Sequence, residues 1–356
     1  MVTKERNSSI ELLRIIAMVI IVFHHYVVHG IFDWNEMSGV SVYFLSVIQL
    51  GEWAVNIFIL IFGYFSVTSD FKPARVLRLY AQVWFYSAVI FAIYTLLSKE
   101  LHFGLALKAI TPVISDQYWF FSRYMLLCLL MPFLNILIKA MNRQIHLRLM
   151  ILLFTAWSML PSLLPTFIGY GLSVRTTGAF VMLYIIGAYM RLYPDSRINR
   201  RSTGYTLAAG SLLLMMIIQF INLKNIIPFV GIEINFFSNS EILSVCFAVG
   251  MLSIFNSISI RSNKLINGIA ACIFGVYLIH DNLYLRPLLW TVWLKNGEYL
   301  SSSHVIHRMI ISVFIVFAAC VLIELIRKNT VEKLWIRYCE PWLLKRLNAG
   351  HDRSGI

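Results

Sequence analysis

In the segment ERNSSIELLRIIAMVIIVFHHY, Arg14 and His25 stand eleven positions apart in a run that is otherwise almost entirely apolar. At about 100° and about 1.5 Å per residue, a helix would set them within about 20° of each other around its axis and about 16 Å apart along it. Glu11 and His29 fall about 40° to either side of His25, so the four make one polar stripe, while His24 points elsewhere. Ionisable groups in an apolar helix are costly, which makes each a candidate for function. An imidazole there can take a proton from a hydroxyl or carry an acyl group, and a distant guanidinium can hold the other end of a long ligand. The alternative is that Glu11 and Arg14 simply pair at i,i+3 and His25 is a hydrogen-bonded core histidine.

Four further groups could do chemistry. Lys72, Arg75 and Arg78 lie in FKPARVLRLYAQ; Arg75 and Arg78 would share a helix face and suit an anion such as a phosphate, or snorkel to lipid headgroups. Tyr277, His280 and Asp281 lie in CIFGVYLIHDN, where a histidine beside a carboxylate suits proton transfer, although Tyr and His also anchor membrane interfaces. Asp116-Gln117-Tyr118-Trp119, and Glu52 with Asn56, could line a polar cavity or make caps and interhelical hydrogen bonds, the latter preferred for Glu52 and Asn56. The five cysteines (Cys128, Cys246, Cys272, Cys320 and Cys339) form no CxxC pair or Cys/His cluster, so neither a zinc site nor a disulfide framework is expected, and no metal is assigned.

The elements that position these residues follow from composition. Apolar residues make up 59% of the 356 and charged residues 13%, with a mean hydropathy of +0.75. So few charges cannot clothe a water-soluble surface, so the expectation is an all-α polytopic membrane bundle of about ten spans. The apolar stretches cover 9–29, 42–66, 76–98, 118–139, 149–167, 176–192, 204–222, 241–260, 266–284 and 305–326. Prolines fall mainly at ends and connections, with Pro132 inside the fourth stretch as the exception and a candidate kink. With no small-residue cleavage site after it, the first stretch reads as an uncleaved span.

With the N-terminus cytoplasmic, the inside segments hold Lys4 and Arg6; Lys72, Arg75 and Arg78; Lys139, Arg143 and Arg148; Arg191, Arg197, Arg200 and Arg201; Arg261 and Lys264; and seven basic residues from Arg327 to Arg353. That is 21 inside against seven outside, with Arg14 and Arg123 within spans. This is the positive-inside pattern, with both termini cytoplasmic. The formal charge of +13 is thus topology and does not call for nucleic acid. The division expected is a transmembrane domain over 1–326 and a basic tail over 327–356. In that tail Leu334, Trp335, Trp342 and Leu343 alternate with Lys and Arg, as in an amphipathic helix on the cytoplasmic surface. The stretch 223–239 reads as an outside loop dipping into the interface, and no internal repeat is seen.

Together these segments resemble acyltransferase family 3, multi-span bacterial enzymes that acylate surface polysaccharides. Arg14 and His25 match the family's Arg-x10-His in the first span, and RVLR matches its R-x-x-R after the second, at Arg75 and Arg78. QYWFFSRYMLLCLLMPFLN is similar to the Trp-aromatic segment entering the fourth span, and GVYLIHDN to the late Tyr-x-x-His. The chain departs at Ile61-Phe62-Gly63-Tyr64, where the family often has Leu-Ser-Gly-Phe, and lacks the proline often following R-x-x-R. No hydrolase-like domain follows the spans, so acceptor handling is expected in the membrane part or with a partner.

The resemblance implies transfer of an acetyl group from cytoplasmic acetyl-CoA, a co-substrate and not a resident cofactor, to a hydroxyl of a lipid-linked or surface polysaccharide. The implied place is the bacterial cytoplasmic (inner) membrane, among membrane lipids. His25 would be base or acyl carrier, Arg14 oriented by Glu11 would position the donor, and Lys72, Arg75 and Arg78 would hold its phosphates. Trp119, Tyr277, His280 and Asp281 would line the acceptor end. A glycan transporter or flippase would also be polytopic with intramembrane charges, but the motif order and the lack of an evident repeat or paired broken helices argue against it; a non-catalytic membrane partner of a polysaccharide assembly complex is a third possibility.

Overall fold

A computed structural model describes residues 6–30, 40–100, 102–163, 176–224, 240–299 and 304–345. Every regular element among them is a helix. In chain order these are α1 (Ser8–Val28), α2 (Val40–Gln49), α3 (Ala54–Ser66), α4 (Pro73–Ser98), α5 (Phe103–Ile110), α6 (Trp119–Ala140), α7 (Arg143–Phe154), α8 (Leu160–Leu163), α9 (Thr176–Leu192), α10 (Arg201–Lys224), α11 (Ile242–Ser257), α12 (Lys264–Ala270), α13 (Ile273–His280), α14 (Leu285–Pro287) and α15 (Val305–Arg327). Each apolar stretch read from the sequence falls on helix. Seven helical runs are long and apolar enough to cross a membrane, or eight if a pair bent by 88°, Lys264–His280 with Leu285–Tyr299, is one span. Thr177–Leu192 and Ile242–Ser257 are apolar but shorter. The end of the fifth stretch (164–167), the loop over 225–239, and residues 346–356 of the tail lie outside the described residues.

Local chemistry sets the helix ends. The Asn7 side chain accepts from the backbone N–H of Ser9 and Ile10 and so caps α1, satisfying donors that the first turn leaves orphaned. Pro73 starts α4, where its missing N–H costs nothing, and Pro132 is accommodated inside α6.

The bundle exposes apolar residues on its outer surface, and its interior, itself largely apolar, also takes in polar groups. On α15, Ile311, Ile315, Leu322 and Ile326 form an exposed stripe, while Ser312, Cys320 and Glu324 on the opposite face are buried. That inversion suits a lipid solvent, in which polar groups must find partners inside the protein. Glu324 accepts from Tyr86 Oη (2.6 Å), Gln82 Nε2 (3.0 Å) and two nitrogens of Arg327 (2.8 Å each). Arg327 also reaches Glu332, and Lys328 donates to the Ala271 carbonyl in the break between α12 and α13. This network ties α4, α13 and α15 together, and its full pairing is what makes two buried charges tolerable.

The run α12–α13 lies parallel to α1. Near the start of both, Ser8 Oγ donates to Asn267 Oδ1 (3.0 Å) and Ser9 Oγ to the Ile258 carbonyl (2.6 Å); near the other end His25 meets His280. Helical turns continue beyond α15 as far as Lys345, and Glu340 in this continuation reaches back to α4.

The α3–α9 crossing needs glycine on both helices. A Cβ on Gly63 of α3 would lie 2.3 Å from the Tyr184 carbonyl oxygen of α9, and one on Gly187 2.3 Å from the Leu60 oxygen. Backbones in contact replace the missing hydrophobic drive between helices in lipid. Gly63→Ala is therefore expected to lower the thermal unfolding midpoint in detergent, at a cost of about 1–3 kcal/mol for overpacking. Gly210→Ala, where a Cβ meets nothing within 4 Å, should be neutral or stabilising by helix propensity. Thermal scans of both variants against the parent check the contrast.

Candidate active site

Arg14, Met18, Ile21 and His25 recur at spacings of four, three and four on α1, and all four line one cavity of about 260 Å³. Its far walls are aromatic: Phe58 and Phe62 of α3, Trp119, Phe120 and Tyr124 of α6, and Phe274 and Tyr277 of α13. Leu79 of α4 and Glu52 complete the polar and apolar rim. Of the stripe read from the sequence, Arg14 and His25 line the cavity, far apart along it, whereas Glu11 and His29 do not. His24 lines the cavity too, with Nδ1 2.7 Å from the Gln49 carbonyl oxygen, so it does not point away as the wheel indicated.

A chain of hydrogen bonds determines what His25 can do. His280 Nδ1 lies 2.6 Å from the Val276 carbonyl oxygen, which can only accept, so this nitrogen carries the proton. His280 Nε2 is then a lone pair, and it lies 2.9 Å from His25 Nδ1. His25 Nδ1 must therefore be the donor, which leaves His25 Nε2 as an unprotonated acceptor. A neutral histidine with such a lone pair is chemically able to act as a general base. Asp281 Oδ1 stands 3.9 Å from His25 Nδ1, close enough to favour the imidazolium formed when the base takes a proton.

The bend after α13 builds this arrangement. Asn282 Oδ1 accepts from the Tyr284 N–H (2.9 Å), capping the segment beyond, and its Nδ2 donates to Tyr118 Oη (2.6 Å). Tyr118 in turn donates to the Leu278 carbonyl (3.0 Å). The corner so fixed aims Asp281 at His29 Nε2 (3.1 Å) and Arg286 Nη1 (3.5 Å).

The other sequence candidates divide. Glu11 pairs with Arg14 Nη1 at 3.4 Å; it holds the guanidinium and is not part of the cavity wall. Trp119 and Tyr277 line the cavity, whereas His280 and Asp281 sit behind His25, buried against its ring. Lys72 and Arg75, exposed at the start of α4, make no ion pair among the described residues. Arg78 differs: its Nε and Nη2 hold Glu340 at 2.5 and 2.7 Å, so Arg75 and Arg78 do not form a shared open anion site. Arg75 lies one helical turn before the cavity residue Leu79, at the cavity's Arg14 end. The sequence reading missed Tyr124, Phe274 and the Val276 carbonyl. The aromatic pair Phe120 and Tyr124, at i,i+4 beside Trp119, was a usable signal; a backbone carbonyl gives none.

The fold is a bundle of membrane-length helices around a cavity that carries a histidine toward one end and an arginine toward the other. The chain belongs to acyltransferase family 3, whose model, described as an acyltransferase domain, matches residues 7–325. No curated protein and no solved structure matches it. The protein is accordingly a multi-pass membrane protein of an acyltransferase family.

If His280 fixes the tautomer of His25, His280→Phe should lower kcat of acyl transfer by about 10²-fold, the low end of what a general base supplies, with KM for the donor nearly unchanged. His280→Gln, whose amide oxygen can still accept, should retain more activity. Steady-state kinetics on purified variants check both.

Proposed function

We propose that the protein moves an acetyl group from acetyl-CoA on the cytoplasmic face to a hydroxyl of a lipid-linked or surface polysaccharide on the opposite face. The observation that carries this reading is the tautomer chain Val276–His280–His25, which leaves an acceptor nitrogen on a cavity whose other end holds Arg14. A volume of about 260 Å³ is below the usual ligand-pocket range of about 300–1,000 Å³. It suits a slim pantetheine arm and the edge of one sugar, with the nucleotide left outside beside Lys72 and Arg75. The positive end of α4 adds to that anion site.

In this mechanism His25 Nε2 takes the proton of the acceptor hydroxyl as its oxygen attacks the thioester carbonyl carbon. The tetrahedral adduct collapses, the carbon–sulfur bond breaks, and the leaving thiolate takes the proton back from His25. The products are the acetyl ester and free CoA. Asp281 steadies the transient imidazolium, and Arg14, held by Glu11, positions the donor. Trp119 and Tyr277 pack against the acceptor end. Phosphates reaching Arg78 have to displace Glu340, so Lys72 and Arg75 meet them first.

The same reading sets ten crossings with both termini cytoplasmic, in a bacterial inner membrane. The two shorter helices, α9 and α11, then cross within the bundle, where most of their residues are buried. Because α1 and α12–α13 run in one direction, an odd number of crossings must separate them, so α9 and α11 either both cross or neither does, and in this reading both do. The charge distribution supports the orientation.

Membranes carrying the protein, given labelled acetyl-CoA, should label the host glycan at hydroxyl positions. His25→Ala should cut the rate by about 10³-fold, within the span expected of a general base, while glycan export continues. Lost export with unchanged acetylation per repeat would instead make the protein a transporter. Arg75→Ala should raise KM for acetyl-CoA by about tenfold, as loss of one charge-assisted phosphate contact implies, with kcat little changed; initial-rate kinetics read both.

A further inference from the structure

On the side of His25 away from the cavity, three metal-ligating groups converge. His25 Nδ1, His29 Nε2 and Asp281 Oδ1 all lie within 4.8 Å of one another. The His29–Asp281 edge is 3.1 Å and the His25–Asp281 edge 3.9 Å. In a tetrahedral zinc site with bonds of about 2.0–2.1 Å, donor atoms stand about 3.3 Å apart, so these two edges bracket the required value. The two histidines are four residues apart on one helix face, and the carboxylate comes from the fixed corner after α13. All three side chains are largely shielded from solvent. Two imidazoles and one carboxylate form a borderline ligand set that selects zinc-like ions over magnesium or calcium.

The geometry points to an inhibitory site for a zinc-class divalent cation, held by His25, His29 and Asp281. The inhibitory part of this inference rests on His25 being the base of the proposed transfer; the binding part does not. A metal on His25 Nδ1 takes the lone pair there, so the ring proton moves to Nε2. His29 likewise shifts its proton to Nδ1, and both rings stay neutral with no net proton released. The cavity-facing nitrogen of His25 thereby changes from acceptor to donor, and it can no longer take a proton from a hydroxyl. The ion also replaces the His25–His280 hydrogen bond. It acts from behind the ring, so it does not compete with the acyl donor. Arg286, 3.5 Å from Asp281 Oδ1 and partly exposed, opposes the ion and has to withdraw from the carboxylate.

The test is zinc titration of the purified, untagged full chain in detergent against a competing chromophoric chelator, with Mg²⁺ and Ca²⁺ as controls. The parent should bind one Zn²⁺ per chain and neither control ion. His29→Gln should weaken binding by at least ~10-fold, as loss of a ligand or its support typically does. His29→Cys, which restores a ligand, should recover it, and Arg286→Gln should tighten it several-fold. Saturating zinc should lower kcat of acetyl transfer with KM for acetyl-CoA unchanged, and should spare His29→Gln. Absence of zinc binding by the parent, or equal binding by parent and His29→Gln, overturns the site. Zinc binding that depends on His29 in a chain with no acyl-transfer activity upholds the site and overturns the function. Active transfer in which bound zinc leaves kcat unchanged overturns the inhibition.

Discussion

A neutral imidazole carries one proton on either of two nitrogens, and in this protein a backbone carbonyl decides which. The Val276 oxygen holds the proton of His280 on Nδ1, His280 Nε2 holds that of His25 on Nδ1, and His25 Nε2 is left bare. In a low-dielectric interior such a chain is strong when complete and costly when broken. Two parallel helices must therefore be kept in register to within a few tenths of an ångström. Serines at the start of α1 fasten one end of that register to residues 258–267. Asn282 and Tyr118 fasten the other end at the corner after α13.

The rest of the bundle extends this constraint toward the opposite face. Buried Glu324 and Arg327 pin α13 to α4 and α15; a Cβ on Gly275 would lie 2.4 Å from Glu324 Oε2, so the helix that carries His280 has no slack there. Along α1 the same face that ends at His25 begins at Arg14, and aromatic rings from three other helices close the space between them. The cations Lys72, Arg75 and Arg78 are exposed at the start of α4. Glu340 pairs with one of them, Arg78.

Much of this was legible in the residues, because an α-helix converts sequence spacing into direction. Arg14 and His25 could be placed on one wall from their separation alone, and Trp119 and Tyr277 also line the cavity. Apolar stretches located the helices because lipid-facing and buried positions are both apolar. What could not be read were contacts between distant parts of the chain. Nothing at position 25 announces a partner at 280, and nothing in RVLR announces Glu340. His280 and Asp281 looked like acceptor-lining groups because their element faces the outer end of the bundle. The structure places them behind His25, with His280 Nε2 2.9 Å and Asp281 Oδ1 3.9 Å from its Nδ1. Glu52 looked like a structural hydrogen-bonding residue and lines the cavity, because 51–53 form a tight turn that re-aims it.

Nitrogen NMR of the membrane-reconstituted protein reads the protonation of the His25 ring directly. With histidine labelled at both ring nitrogens and His25 assigned by comparison with His25→Gln, the expected spectrum shows a protonated Nδ1 coupled across a hydrogen bond to His280 and an unprotonated Nε2. A proton found on His25 Nε2, or on both nitrogens, in the ligand-free protein at neutral pH would contradict it.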